Sequence, residues 1–144
     1  MADEAELDRI ANELQIQQAK GEAIRQQMQQ MEATALEISS AVDAMQNIRK
    51  AKGDTLVPVG AGVFLSCPKP DSERVVINIG ANVMVQKKPE EAVRMLEDRK
   101  KQVTDAIISA QQDLGEVIRA IDTLTQRASY IAASEEKNVR PSKE

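Results

Sequence analysis

The chain has 144 residues, 42% of them apolar and 29% charged, with a net charge of −4. One Phe, one Tyr and no Trp exclude the aromatic-rich interior of an ordinary compact domain. The acidic balance argues against a nucleic-acid binder, whose affinity rests on phosphate contacts. The absence of His and the single Cys67 exclude imidazole catalysis, His metal ligation and an intrachain disulfide.

The N-terminus, Met1 to Glu6, is acidic and lacks the apolar core of a signal peptide. No stretch approaches the ~18 apolar residues needed to cross a bilayer. There is also no basic amphipathic face that would bind a membrane surface. The expectation is a cytoplasmic protein with no membrane and no nucleic acid among its partners.

Residues 1–52 are predicted to form a coiled-coil helix. The segment has no Pro and a single Gly, and apolar residues recur at alternating steps of three and four. The row is Leu7, Ile10, Leu14, then Ile24, Met28, Met31, Ala35, Ile38, Val42 and Met45. The same ruler places Gln17 and Gly21 in the gap and Arg49 at the end. A seven-residue period held over so many turns marks a coiled-coil seam, since a generic amphipathic helix drifts off it. The Met residues on this row read as adaptable core. Arg49, Lys50 and Lys52 suit the negative end of the helix dipole, and Gly53 suits the position just past it.

Residues 53–88 change character, because Gly, Pro and β-branched residues concentrate there. Four short strands are expected, at 56–59, 63–66, 75–79 and 83–86. Gly60-Ala61-Gly62 and Gly80-Ala81-Asn82 separate them pairwise as hairpin turns, and residues 68–72 make a longer turn between the pairs. Pro58 cannot donate to a ladder, so its strand lies at an edge or carries a bulge. Two hairpins of this size cannot form a stable sheet alone, and exposed edges aggregate. The strands are therefore expected to pair with other subunits and to close a barrel that removes the edges. The candidate assembly residues are Leu56, Val57, Val59, Val63, Phe64 and Leu65 in the first hairpin. In the second they are Val75, Val76, Ile77, Ile79, Val83 and Val85.

Residues 89–134 are predicted to form the second coiled-coil helix. Pro89, Glu90 and Glu91 suit a helix start. The ruler then reads Val93, Leu96, Lys100, Val103, Ile107, Ala110, Leu114, Val117, Ile121, Leu124, Ala128 and Ile131, broken only by Lys100. The run Arg99-Lys100-Lys101 follows Glu97 and Asp98 and reads as a solvated helix face. Residues 135–144 are expected to fray. Two helices of matched length, each roughly 70 Å at ~1.5 Å per residue, joined at one end, can zip antiparallel along one seam. The expected fold is mainly α: a long antiparallel two-helix coiled-coil hairpin with two short β-hairpins at the bend. The whole chain, 1–144, is expected to be a single domain of this kind.

No catalytic constellation is present. Gly60-x-Gly62 lacks the third glycine and the following helix of a dinucleotide loop. Glu90-Glu91 and Glu135-Glu136 read as helix-end charges. Cys67 has no possible His partner and reads as an incidental thiol. No enzyme activity, metal or cofactor is expected.

The stretch Gly53-Asp54-Thr55-Leu56-Val57-Pro58-Val59-Gly60-Ala61-Gly62-Val63-Phe64 is similar to the "LVP-G-G-F" lead-in to the first hairpin of the prefoldin family. Val75 to Val83 looks like the second hairpin, which distinguishes the larger α-type subunit from the β-type. Glu90-Glu91-Ala92-Val93 with Leu96-Glu97-Asp98-Arg99 resembles the family's second-helix start. The likeness covers nearly the whole chain and looks archaeal. It implies a hexamer of two α-type and four smaller β-type subunits on a double β-barrel platform. It also implies that coiled-coil tips hold non-native client proteins without ATP and deliver them to a group II chaperonin.

At the free end of such a hairpin, Leu7, Ile10, Ala11 and Leu14 would face Leu124, Ala128, Tyr130 and Ile131. Terminal turns fray, so these are the candidate client-binding residues, although heptad residues are core-forming first. Tyr130 lies one place off the seam and should face the surface. Gln17 and Gly21 weaken a coiled coil and are expected to let the arm loosen. The competing reading is a structural or tethering coiled-coil scaffold without client binding. A pure spacer, however, needs only a short loop at its bend.

Overall fold

The computed structural model describes residues 2–139. The elements run α1 (Ala2–Lys50), β1 (Thr55–Gly60), β2 (Val63–Cys67), β3 (Val75–Asn78), β4 (Met84–Lys87) and α2 (Pro89–Val139). They gather into two units: a terminal unit, 1–31 with 106–144, and a hairpin unit, 32–105. Both helices contribute a segment to each.

In the terminal unit the heptad row is the buried row. Leu7, Ile10, Leu14, Gln17, Gly21, Ile24, Met28 and Met31 are buried or half-buried, and the residues between them are exposed. The facing row on α2, from Ile107 through Ile131, behaves likewise, with Ala110, Val117 and Ile131 the deepest. An Arg127–Glu6 ion pair crosses the seam near the chain termini. α2 continues to Val139, so 135–139, expected to fray, are helical. Positions 140–144 of that expected tail lie outside the described residues.

At Gly21 the side chains of α2 come close to the backbone of α1. A Cβ at this position would stand 3.3 Å from Val117 Cγ1 and 3.9 Å from Leu114 Cδ1. Val117 fills the space that a side chain at Gly21 would take. Two effects then oppose each other in Gly21→Ala. Removing a mid-helix glycine stabilises by about 1 kcal/mol, while Val117 must yield by a few tenths of an ångström. Gly21→Ala should therefore change stability by less than about 1 kcal/mol. Gly21→Ile should overpack the seam and cost about 1–3 kcal/mol, both read from thermal unfolding by circular dichroism.

In the hairpin unit the heptad rows are again the covered ones, Ala35, Ile38, Val42 and Met45 on α1 and Val93, Leu96 and Val103 on α2. Two positions depart from the ruler. Ile48 is half-buried where Arg49 was expected. Arg49 turns outward, and its Nη2 donates to Glu90 Oε1 at 2.7 Å, joining the end of α1 to the start of α2. Lys100 is exposed, and the neighbouring Arg99 is half-buried, donating to the Asn78 carbonyl at 2.5 Å. That bond pins the tip of the second hairpin to α2. Lys69, in the loop between the hairpins, donates to the Arg49 carbonyl at 3.3 Å and so covers one of the carbonyls that a helix end leaves unpaired.

Glu90 lies in the first turn of α2. Its own backbone N–H and then the Arg49 guanidinium hold its carboxyl below the ordinary 4.5. A depressed carboxylate contributes stability that is complete above the unfolded group's range and is lost as pH falls through the lowered value. Glu90→Gln should flatten the acid limb of the melting-temperature profile and leave the neutral plateau nearly level. Because both side chains of the pair are about half exposed and screened by solvent, the effect is small.

β1 and β2 pair antiparallel, with Thr55 opposite Cys67, Val57 opposite Leu65 and Pro58 opposite Phe64. The register shifts between Pro58 and Gly60, leaving Val59 as the extra residue of a bulge. Pro58 thus lies on an edge strand beside a bulge, where a missing N–H costs no ladder bond. β3 and β4 pair antiparallel, with Val75 opposite Lys87 and Ile77 opposite Val85. Both turns place three consecutive residues at positive φ: Gly60, Ala61, Gly62 and Gly80, Ala81, Asn82. Each sheet has two strands.

Candidate assembly and client-binding surfaces

The two hairpins treat their apolar residues differently. In the second hairpin, Ile77 is buried and Val75 and Val85 are half-buried, while Val76 and Met84 point outward. One face therefore packs on its own unit and the other is open. The first hairpin is open on both faces. Its cross-strand pairs alternate, with Leu56–Ser66 and Pro58–Phe64 on one side and Val57–Leu65 on the other. Leu56, Val59, Val63, Phe64 and Leu65 are all more than half exposed.

Of the twelve candidate assembly residues, Leu56, Val57, Val59, Val63, Phe64, Leu65, Val76, Ile79 and Val83 are exposed. Ile77 is engaged within its own unit, as are Val75 and Val85 in part. Soluble monomers rarely leave an apolar patch of this density uncovered, so such a patch marks a contact surface. The open strand edges add unpaired backbone groups that a strand from another chain could bond.

The eight candidate client-binding residues all fall in the terminal unit, and the structure divides them. Ile10 is 6% exposed and Ile131 8%. Leu7, Leu14, Leu124 and Ala128 are half-buried in the same seam. Ala11 and Tyr130 face outward, Tyr130 at 76% exposure. Sequence reasoning missed Ile16, 59% exposed, together with Ile118 and Val139. Their signal was available, since each is an apolar residue on a helix and off the heptad row. An open groove of about 720 Å³ is lined by Ile10 and Leu124 together with Glu6, Arg9, Glu13 and Arg127.

Charge and metal chemistry are sparse. Among the described residues no cluster of three or more His, Cys, Asp or Glu could hold a metal ion. No helix among them is long and apolar enough to cross a membrane. Cys67, at the end of β2, is a half-buried free thiol.

Two long helices bracketing two small hairpins define a coiled-coil hairpin protein with a β assembly module. Comparison with known proteins narrows that class. The prefoldin subunit family matches residues 17–133, and the chain belongs to it. It is similar to prefoldin subunit alpha of Pyrococcus horikoshii, 28% identical over 129 residues that cover 88% of this chain and 87% of that one. It is likewise similar to prefoldin subunit alpha of Methanosphaera stadtmanae, 33% identical over 69% of this chain and 72% of that one. With the corresponding subunit of Methanobrevibacter smithii the match is 24% over 96% of both chains. The fold is that of a chain in the filamentous prefoldin assembly from Methanocaldococcus jannaschii, with a TM-score of 0.70 at 22% identity, covering 81% of this chain and 99% of that one. The chain is thus a chaperone subunit of the prefoldin family, akin to archaeal α subunits.

Proposed function

We propose that this chain is the α-type subunit of an ATP-independent holdase. Its hairpins join those of smaller β-type subunits, two α with four β, in a β-barrel platform. Its terminal unit captures non-native proteins in the cytoplasm and passes them to a group II chaperonin. The observation that carries this reading is the first hairpin, whose apolar side chains are exposed on both faces. A surface of that kind is explained by burial in an assembly.

Capture itself needs apolar groups that are available part of the time. Tyr130 is already exposed at the surface, while Leu7, Ile10 and Ile131 become available when the last turns of the seam open. Burying one such side chain against a client contributes about 1.5–3 kcal/mol, so a single arm binds weakly. Several arms on one platform raise the apparent affinity through effective concentration, which gives a multi-armed assembly its physical rationale.

The test is light scattering of a denatured client diluted, without ATP, into the chain mixed with a β-type partner. A form lacking residues 1–14 and 124–144 serves as comparison. If the full assembly suppresses aggregation and the shortened one assembles but does not, the terminal unit holds clients. If both assemble and neither suppresses aggregation, the chain is a tethering scaffold and the holdase reading fails. Native mass of the mixture reports the partner: a hexamer with a smaller subunit supports the stoichiometry, and a homo-oligomer of this chain alone overturns it.

A further inference from the structure

Arg99 belongs by sequence to a solvated basic run, yet it is half-buried. No carboxylate among the described residues pairs with it. Its Nη2 donates to the neutral Asn78 carbonyl. The turn beyond Asn78 does not need that bond to hold its shape. Asn78 Oδ1 accepts from the Gly80 N–H, the Ile79 N–H donates to the Val83 carbonyl, and the Val83 N–H donates to the Gly80 carbonyl.

The register of the hairpin shows what the Arg99 bond does. Ile79 bonds Val83 across the ladder. By the alternation of an antiparallel pair, Ile77–Val85 and Val75–Lys87 are then the hydrogen-bonded pairs. The backbone groups of Val76 and Asn78 point away from β4, along the outer edge of β3. That edge offers a strand of another chain equivalent bonding places at Val76 and at Asn78. Moving from one to the other is a slip of two residues. Such a slip keeps every side chain on its own face, so the hydrophobic pattern does not forbid it. Arg99 does, because its guanidinium stands at the Asn78 carbonyl, where the N–H of an incoming strand would have to lie.

The first hairpin carries a stop at the matching place. Pro58 lies two residues before the turn glycine Gly60, as Asn78 lies two before Gly80. Pro58 has no N–H and cannot complete a bonded pair on the outer edge of β1.

We propose that Arg99 is a register stop for assembly. By capping the Asn78 carbonyl it confines a neighbouring subunit's strand to Val76 and excludes the register displaced by two residues, roughly 6–7 Å. Arg99 is thus a positioning residue of the interface. The proposal rests on the reading above that the hairpins join those of other subunits, and it adds what sets their alignment.

The test is amide hydrogen exchange, read residue by residue, on the full chain alone and assembled with a β-type partner. On assembly the Val76 N–H should slow at least about tenfold, as a newly bonded edge does, while the Asn78 N–H should stay as fast as in the free chain. Arg99→Met keeps the stem and removes the donors, so the ladder can advance and the Asn78 N–H should also slow about tenfold. Arg99→Lys restores a donor and should return Asn78 to fast exchange. Helical circular dichroism and melting of the free variants check that each is folded, and the unmodified assembly tests the proposal without any variant. Protection of Asn78 in the unmodified assembly overturns the proposal, as does unchanged Asn78 exchange in Arg99→Met or continued protection in Arg99→Lys. If Val76 gains no protection, β3 is not an assembly edge and the proposal fails, while the first-hairpin interface stands. If no particle forms with the β-type partner, the assembly reading fails and the proposal with it.

Discussion

Replacing Val57, Phe64 and Leu65 together with serine should dissolve the assembly and leave the helices intact. Phe64 is 56% exposed, Leu65 53% and Val57 40%, so none contributes much to the fold of its own chain. Val57 and Leu65 form a cross-strand pair on one face of the first hairpin, and Phe64 stands on the other, opposite Pro58. If both faces are covered in the assembly, each lost side chain removes about 1.5–3 kcal/mol of burial. The three together remove at least about 4.5 kcal/mol, roughly three orders of magnitude in the association constant. The expected result is a fall in particle mass by size-exclusion light scattering, with helical circular dichroism unchanged. The division of effect between Val57→Ser with Leu65→Ser and Phe64→Ser alone would tell which face is buried more deeply. An undiminished mass would show that the first hairpin is not the interface.

The second large effect separates seam residues from surface residues in the terminal unit. Ile10 and Ile131 are 6% and 8% exposed, so Ile10→Ala or Ile131→Ala should destabilise that unit by about 2–4 kcal/mol, the range for large-to-small changes in a packed seam. Tyr130→Ser should leave the melting temperature within about 1 °C, because substitutions at exposed sites are usually within ±0.5 kcal/mol. It should nonetheless reduce protection of an aggregating client several-fold. Differential scanning calorimetry beside the light-scattering assay reads both. If Tyr130→Ser changes neither, and Ile10→Ala lowers stability and protection together, capture depends on the seam opening. If Ile10→Ala raises protection while lowering stability, the seam residues become client contacts once freed.

The helical part of the fold was legible in the chain because a coiled-coil seam is written locally. Leu7 to Met45 and Val93 to Ile131 hold a seven-residue period, and burial follows those rows with few exceptions. The hairpins were legible because Gly60-Ala61-Gly62 and Gly80-Ala81-Asn82 interrupt β-branched runs; the glycines and Asn82 suit the left-handed backbone of both turns, whereas Ala61 and Ala81 adopt it against their own preference. The bulge was foreseen as one of two accommodations of Pro58; its position at Val59 depends on the register that pairs Pro58 with Phe64.

Other features depend on what approaches from elsewhere in the chain, and no local pattern encodes that. Gly21 reads as a weak point along α1, yet it is a close contact because Val117 of α2 reaches into it. Arg49 and Lys100 occupy seam positions by period. Glu90 draws Arg49 outward, Ile48 takes its place, and Arg99 turns to the Asn78 carbonyl. Which face of the second hairpin is covered is settled by packing within its own unit, which hides Ile77 and leaves Val76 open. The first hairpin meets no such neighbour. Alternation along a strand says that two faces exist, and burial of either requires a surface to lie against it. For this hairpin that surface belongs to another chain in the assembly we propose.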